Sequence, residues 1–178
     1  MEQQFQYYAF ISYKREDEKW AKWLQDRLRW YKLPSKLCRQ ITRLPKKVWP
    51  VFRDNTDLDS GRLEENIRHE LERSHYLIVI CSPEAARSPW VGKEVKYFAT
   101  LHGADKIIPF VVSGIPYSND IETECIHEQI KAISQEELLA INVREEGIGS
   151  FAMKKKRAFI RVVARLLDIK FNTLWQPY

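Results

Sequence analysis

His75-Tyr76-Leu77-Ile78-Val79-Ile80-Cys81 is an apolar run of strand length with no alternation of polar residues after its first position. A strand with one wet face alternates in character; a run like this one is covered on both faces. Tyr7-Tyr8-Ala9-Phe10-Ile11-Ser12-Tyr13 and Lys106-Ile107-Ile108-Pro109-Phe110-Val111-Val112 have the same character. Helical spacing separates these runs. Trp20, Trp23, Leu24, Arg27, Leu28 and Tyr31 form one apolar stripe, preceded by Glu16, Asp17 and Glu18, which suit the positive end of a helix. Leu63, Ile67 and Leu71 form a second stripe, Trp90 to about His102 a third helix, and Phe159, Val162, Val163, Leu166 and Leu167 a long closing one. Val48–Phe52 adds an edge strand, marked as such by Pro50, and Leu139–Val143 a short fifth strand. Parallel strands need helical crossovers of this length. The expectation is therefore α/β: a doubly wound, flavodoxin-like sheet of about five parallel strands with helices on both faces. A basic loop is expected between Pro34 and Val48, and residues 113–137 carry no clear period.

A chain of 178 residues supports a single domain, residues 1–178, with its core at about 7–168 and a tail over 169–178 that is expected to lead to a further module if the protein is longer. The net charge of +5 permits an anionic partner, yet 24 acidic residues are interspersed with 29 basic ones. No basic arm of the kind used on nucleic acid results. Cys38, Cys81 and Cys125 form no C-x-x-C pair, and the four histidines have no ligand spacing, so no metal site is expected. Cys81 is expected to be a core thiol. With a polar start and no apolar run of membrane-spanning length, the expected setting is reducing and cytoplasmic.

Ser88-Pro89-Trp90-Val91-Gly92-Lys93-Glu94 has the form of a helix start, Ser88 capping and Pro89 at the first helical position. Trp90 and Glu94 then stack four residues apart, and Tyr97 and Leu101 continue the stripe. An acid there is either tied into a structural network or placed for chemistry. In a doubly wound sheet ligands bind beyond the carboxyl ends of the strands, where strand order reverses. Those ends hold Ser12, Tyr13, Lys14 and Arg15 after the first strand, Arg53 and Asp54 after the second, and Ser82-Pro83 after the third, just ahead of Trp90 and Glu94. Lys14 and Arg15 suit a phosphate or simply a solvated loop, and Arg53–Gly61 suits a mobile docking loop or a plain turn. Lys154, Lys155, Lys156 and Arg157 are expected on an exposed helix face. A phosphoacceptor of the receiver-domain kind is excluded, because the third strand ends in Cys81-Ser82 rather than aspartate and the first in Tyr13-Lys14 rather than an acidic pair.

Three segments together resemble the TIR (Toll/interleukin-1 receptor) domain family: Tyr8-Ala9-Phe10-Ile11-Ser12-Tyr13-Lys14-Arg15-Glu16-Asp17, Phe52-Arg53-Asp54 through Asp57-Leu58 to Gly61, and Leu77-Ile78-Val79-Ile80-Cys81-Ser82-Pro83 followed by Ser88-x-Trp90-x-x-x-Glu94. The form with Leu33-Pro34 and Phe52-Arg53-Asp54 looks bacterial. The resemblance implies cleavage of NAD⁺ at the nicotinamide–ribose bond with Glu94 as catalytic carboxylate. It implies NAD⁺ as substrate without a separate cofactor, and a nucleotide site lined by Ser12, Tyr13, Lys14, Arg15, Arg53, Asp54 and Trp90. It also implies self-association with other TIR domains through the BB loop, Arg53 to Gly61, and products that serve as ADP-ribose signals, linear, cyclic or conjugated, in anti-phage defence. The alternative under the same resemblance is a TIR domain that only assembles and carries no reaction.

Overall fold

A computed structural model describes residues 5–54, 61–134 and 138–175. Its centre is an all-parallel sheet of β1 (Tyr7–Ser12), β2 (Val51–Arg53), β3 (Ser74–Cys81), β4 (Ile107–Val111) and β5 (Ile141–Asn142) in the order β2-β1-β3-β4-β5. The register pairs Ile11 with Arg53 on one side and with Ile78 on the other, and Val79 with Pro109. Each apolar run divides its side chains between two layers. Ala9, Ile11, Ile78, Ile80, Ile108 and Phe110 meet α1 (Glu18–Trp30) and α7 (Phe151–Leu167), with α2 (Ser35–Gln40) and α8 (Phe171–Leu174) beside them. Phe10, Leu77, Val79, Cys81, Ile107 and Val111 meet α3 (Gly61–Glu72), α5 (Pro89–His102) and α6 (Glu128–Ile133). That two-sided burial is why the strands lack alternation. A short α4 (Pro83–Ala86) follows β3 directly.

Several local expectations shift. The ladder of the edge strand starts only after Pro50, whose carbonyl accepts from Tyr8 N at 2.9 Å while its nitrogen has no hydrogen to give. The fifth strand shortens to two residues because Leu139 is 79% exposed and only Ile141 and Val143 bury. The expected basic loop contains α2, whose buried Leu37 is followed at helical distance by Ile41 and Leu44; the flanking Lys and Arg residues mask that spacing. Within residues 113–137, α6 forms with His127 as its cap. The α7 cations are not an exposed face. Lys154–Arg157 are half-buried: Lys155 Nζ lies 4.6 Å from the Trp23 ring centre and 5.0 Å from that of Trp20, and Arg157 lies over Trp175. Aromatic rings in the loops and helices around α7 give these cations a partner that the helix pattern alone does not reveal. All three cysteines are free, and Cys81 and Cys125 are buried, their thiols pushed up by desolvation, Cys125 to about 12.

Candidate active site

The strand order reverses between β1 and β3, so the crossovers leave in opposite directions and open a crevice at the carboxyl ends of these two strands. Ser12 closes β1 at this point and is fully buried. Its hydroxyl donates to Glu94 Oε1 at 3.0 Å. Glu94 is delivered from the second turn of α5, whose start is fixed as the sequence indicates: Ser88 Oγ accepts from Val91 N at 3.2 Å and Pro89 opens the helix. Helix α5 is further held from outside. His127 places Nε2 2.9 Å from the Ser88 carbonyl oxygen, and its Nδ1 accepts from Gln129 N at 3.0 Å; a neutral ring carrying its proton on Nε2 satisfies both. Gly92 makes this approach possible, because a Cβ there would lie 2.5 Å from His127 Cε1.

Glu94 is 3% exposed, and its Oε2 has no hydrogen-bond partner among the described residues. Burial pushes its carboxyl well above the usual carboxylate range, the Asp54 charge pushes the same way, and the Ser12 hydrogen bond offsets part of this. Among the described residues, neither structural role that would explain a buried acid, an ion pair or a backbone hydrogen bond, is present at this carboxylate. The apolar stripe of α5 also differs from the expected one. Val91, Val95 and Phe98 are the buried set, Trp90 and Tyr97 are half-buried, and Leu101 is 46% exposed. Glu94 therefore sits where the core face of α5 meets the crevice.

The remaining candidates divide into two groups. Tyr13, Arg53 and Asp54 bond to one another at the same edge of the sheet, and the Asp54 charge acts on Glu94: Arg53 Nη1 donates to Tyr13 Oη at 2.9 Å, Tyr13 Oη donates to the Asp54 carbonyl oxygen, and Arg53 Nε donates to Gln25 Oε1 at 3.0 Å. These contacts latch the end of β2 to the end of β1. They occupy the Arg53 guanidinium with protein acceptors, with Glu18 Oε1 a further 3.7 Å away. Lys14 and Arg15 begin the turn toward α1, Lys14 half-buried and Arg15 exposed, and neither lines the cavity beside Glu94. That cavity, of about 340 Å³, lies between α3 and α5 and is bounded by Trp90 and Glu94 together with Ile67, Arg68, Lys93 and Tyr97. Arg68, Lys93 and Tyr97 are not among the site residues expected from the sequence. Lys93 follows Trp90 by three residues and Tyr97 follows Lys93 by four, which puts them on one side of α5, but only the packing of α3, which carries Arg68, gives that side a wall.

A second carboxylate lies at the same edge: Ser82 Oγ donates to buried Asp17 Oδ2 at 2.5 Å, and burial raises this acid too. Of the BB loop, residues 55–60 lie outside the described residues; Arg53, Asp54 and the start of α3 flank them. Among the described residues no group of His, Cys, Asp and Glu is arranged to hold a metal ion, and no helix is long and apolar enough to cross a membrane.

An all-parallel sheet of order 2-1-3-4-5 with a buried glutamate at its switch point, one oxygen of which has no hydrogen-bond partner among the described residues, defines a doubly wound α/β domain with a carboxylate at its crevice. The chain belongs to the TIR domain family, whose pattern matches residues 9–146. It is similar to NAD(+) hydrolase ApTIR of Actinoplanes sp., with 36% identity over 110 residues, 61% of this chain but 14% of that much longer protein. In fold it is similar to the TIR domains of the activated Roq1 resistosome that recognises the pathogen effector XopQ, with a TM-score of 0.57, 14% identity, and coverage of 86% of this chain and 98% of that one.

Proposed function

We propose that this TIR domain cleaves NAD⁺ between nicotinamide and ribose, with Glu94 as the catalytic carboxylate. The observation that carries the reading is the Glu94 Oε2 atom, buried without a hydrogen-bond partner among the described residues. An ionised carboxylate in that position is costly by itself and is stabilised only when a positive charge arrives. The scissile step supplies one. As the C1′–N bond breaks, its electron pair stays on the departing nitrogen and nicotinamide leaves neutral, while positive charge develops on the ribosyl C1′. A carboxylate facing that centre attracts the transition state more than the ground state, which is the condition for acceleration. Water then adds at C1′ and loses a proton to Glu94 or to solvent, giving ADP-ribose. Ser12 holds one carboxylate oxygen and leaves the other without a hydrogen-bond partner among the described residues, and half-buried Trp90 shields the site and offers a flat surface to the pyridine ring. No cofactor enters this scheme, with NAD⁺ the substrate.

Similarity to a protein named as an NAD(+) hydrolase supports this reading. Self-association through the Arg53–Gly61 segment, cyclic or conjugated forms of ADP-ribose as products, cytoplasmic location and a part in anti-phage signalling belong to the same proposal. The test is incubation of concentrated protein with NAD⁺, nicotinamide, ADP-ribose and cyclic products being separated by chromatography beside a Glu94→Ala variant. Nicotinamide release that is lost in the variant and rises faster than linearly with protein concentration is expected. Equal release by both proteins refutes the assignment.

A further inference from the structure

Acids and bases alternate along most of the chain, but not between Arg27 and Arg53. That stretch holds nine Lys and Arg residues and no Asp or Glu, whereas in the rest of the chain acids outnumber bases. It covers the end of α1, all of α2 and the approach to β2. Its apolar positions decide how the charges face. Leu33, Leu37, Leu44 and Val48 are buried, which turns the residues between them outward and leaves Lys32, Lys36, Arg39, Arg43 and Lys46 exposed. Backbone contacts gather these cations onto one face: Leu33 N donates to the Lys46 carbonyl oxygen at 3.0 Å, and Lys47 Nζ donates to the Arg29 carbonyl oxygen at 3.4 Å. Arg43 is spent on the carbonyl oxygens of Leu167 and Asp168. Among the described residues, Lys32, Lys36, Arg39 and Lys46 take part in no ion pair.

Trp30, the last residue of α1, stands at this face 72% exposed. Beside it a groove of about 550 Å³ between α1 and α7 is lined by Trp23, Trp30, Phe159, Lys32 and Lys156, with Asp26 the one acid among its lining residues. An open indole ringed by unpaired cations suits a partner that offers an apolar layer directly beneath a dense sheet of negative charge. An anionic bilayer has both at one depth, the headgroups meeting Lys and Arg while the indole reaches the edge of the acyl chains. A nucleic acid strand would instead stack its bases on a succession of open rings. Here Trp23 and Phe159 lie under Arg27, and Trp49 under Arg29. The face is also turned away from the crevice. Tyr8 N donates to the Pro50 carbonyl oxygen at 2.9 Å, which puts the end of the segment at the amino end of β1, whereas Ser12 meets Glu94 at its carboxyl end.

We propose that the Arg27–Lys47 face docks this domain peripherally on an anionic membrane surface. Trp30 enters the interface, Lys32, Lys36, Arg39 and Lys46 face the headgroups, and the crevice stays open to solution.

The test is co-sedimentation of the full chain with vesicles of phosphatidylcholine alone, or of phosphatidylcholine with about a third phosphatidylglycerol, at low and high salt. Binding to the mixed vesicles that weakens with salt, and none to the neutral ones, is expected. Lys32→Gln/Lys46→Gln lowers the partition coefficient about tenfold or more and Trp30→Ala about fivefold, with the unfolding midpoint and nicotinamide release in solution unchanged. No binding to the mixed vesicles at low salt, equal binding to the neutral ones, or the same loss from Lys19→Gln/Lys22→Gln at the other end of α1 overturns the proposal. So does binding of a single-stranded oligonucleotide, or a dimer seen by sedimentation without vesicles, that the Lys32→Gln/Lys46→Gln and Trp30→Ala substitutions abolish.

Discussion

Replacing Glu94 by glutamine should make the protein more stable and catalytically inert. The carboxyl is 3% exposed, and one of its oxygens has no hydrogen-bond partner among the described residues. Burial and the Asp54 charge raise its titration well above the usual range. For an acid raised in the folded state, the folded protein holds more protons than the unfolded chain between the two titration points. Stability from this group is therefore fully present below the unfolded value near 4.5 and declines as pH rises through the folded one. Glutamine keeps an oxygen for the Ser12 hydroxyl and removes the charge. Its amide nitrogen meets the same unpartnered position, so the gain at pH 7–8 comes from removing the titratable charge alone, whose burial costs more than that of a neutral amide, and should be about 1–3 kcal/mol. For a domain of this size about 1 kcal/mol corresponds to roughly 2–4 °C, so a rise in Tm of about 2–10 °C is expected. The assay is thermal unfolding of both proteins from pH 4 to pH 8, with nicotinamide release measured beside it. The stability advantage should shrink toward zero at pH 4, where both proteins are neutral at this position. Turnover at neutral pH should fall by about a hundredfold or more, on the scale of losing one electrostatic contact to a transition state. A glutamine variant that is less stable at neutral pH by the same margin as at pH 4, or that turns over NAD⁺ within tenfold of the parent, refutes the reasoning.

Other perturbations test the supports of the site. Ser12→Ala removes the hydrogen bond that favours the ionised carboxylate. In kcat/KM profiles its acid limb should move to higher pH, with a loss of roughly ten- to hundredfold, since bonds to charged groups contribute about 1.5–3 kcal/mol. Gly92→Ala would gain about 0.5–1 kcal/mol of helix propensity in open space. Here the new Cβ meets a His127 ring anchored at both nitrogens, so a net loss of about 1–3 kcal/mol is expected in urea unfolding, together with reduced turnover as the start of α5 shifts. Arg53→Ala strips donors from Tyr13 and Gln25 and should lower Tm by several degrees, about 1–3 kcal/mol; an unchanged Tm would show that the latch between β1 and β2 contributes nothing.

How far each part was legible depended on how local its cause is. Strand-length apolar runs and helical stripes reflect burial on two faces or one, so β1, β3, β4, α1, α5 and α7 follow from residue order. Ser88 and Pro89 mark the start of α5 because capping is satisfied within a single turn. The short α2 and α6 escape such reading, since six residues hold too few apolar positions to establish a period. The half-burial of Lys155, Lys156 and Arg157 is not legible in residue order because their aromatic partners Trp20, Trp23 and Trp175 come from distant segments.

For Glu94, the sequence determined its helix, its distance from Trp90 and its position after the third strand. Its burial, with one oxygen left without a hydrogen-bond partner among the described residues, is a property of the tertiary structure. The pairing of β1 beside β3 set Ser12 against one oxygen, and the packing of α3 against α5 opened a cationic groove beside it. Spacing along a chain fixes which side chains share a face. What that face meets, and whether a buried charge finds a partner there, depends on contacts between residues as far apart as Ser12 and Glu94, which only folding brings together.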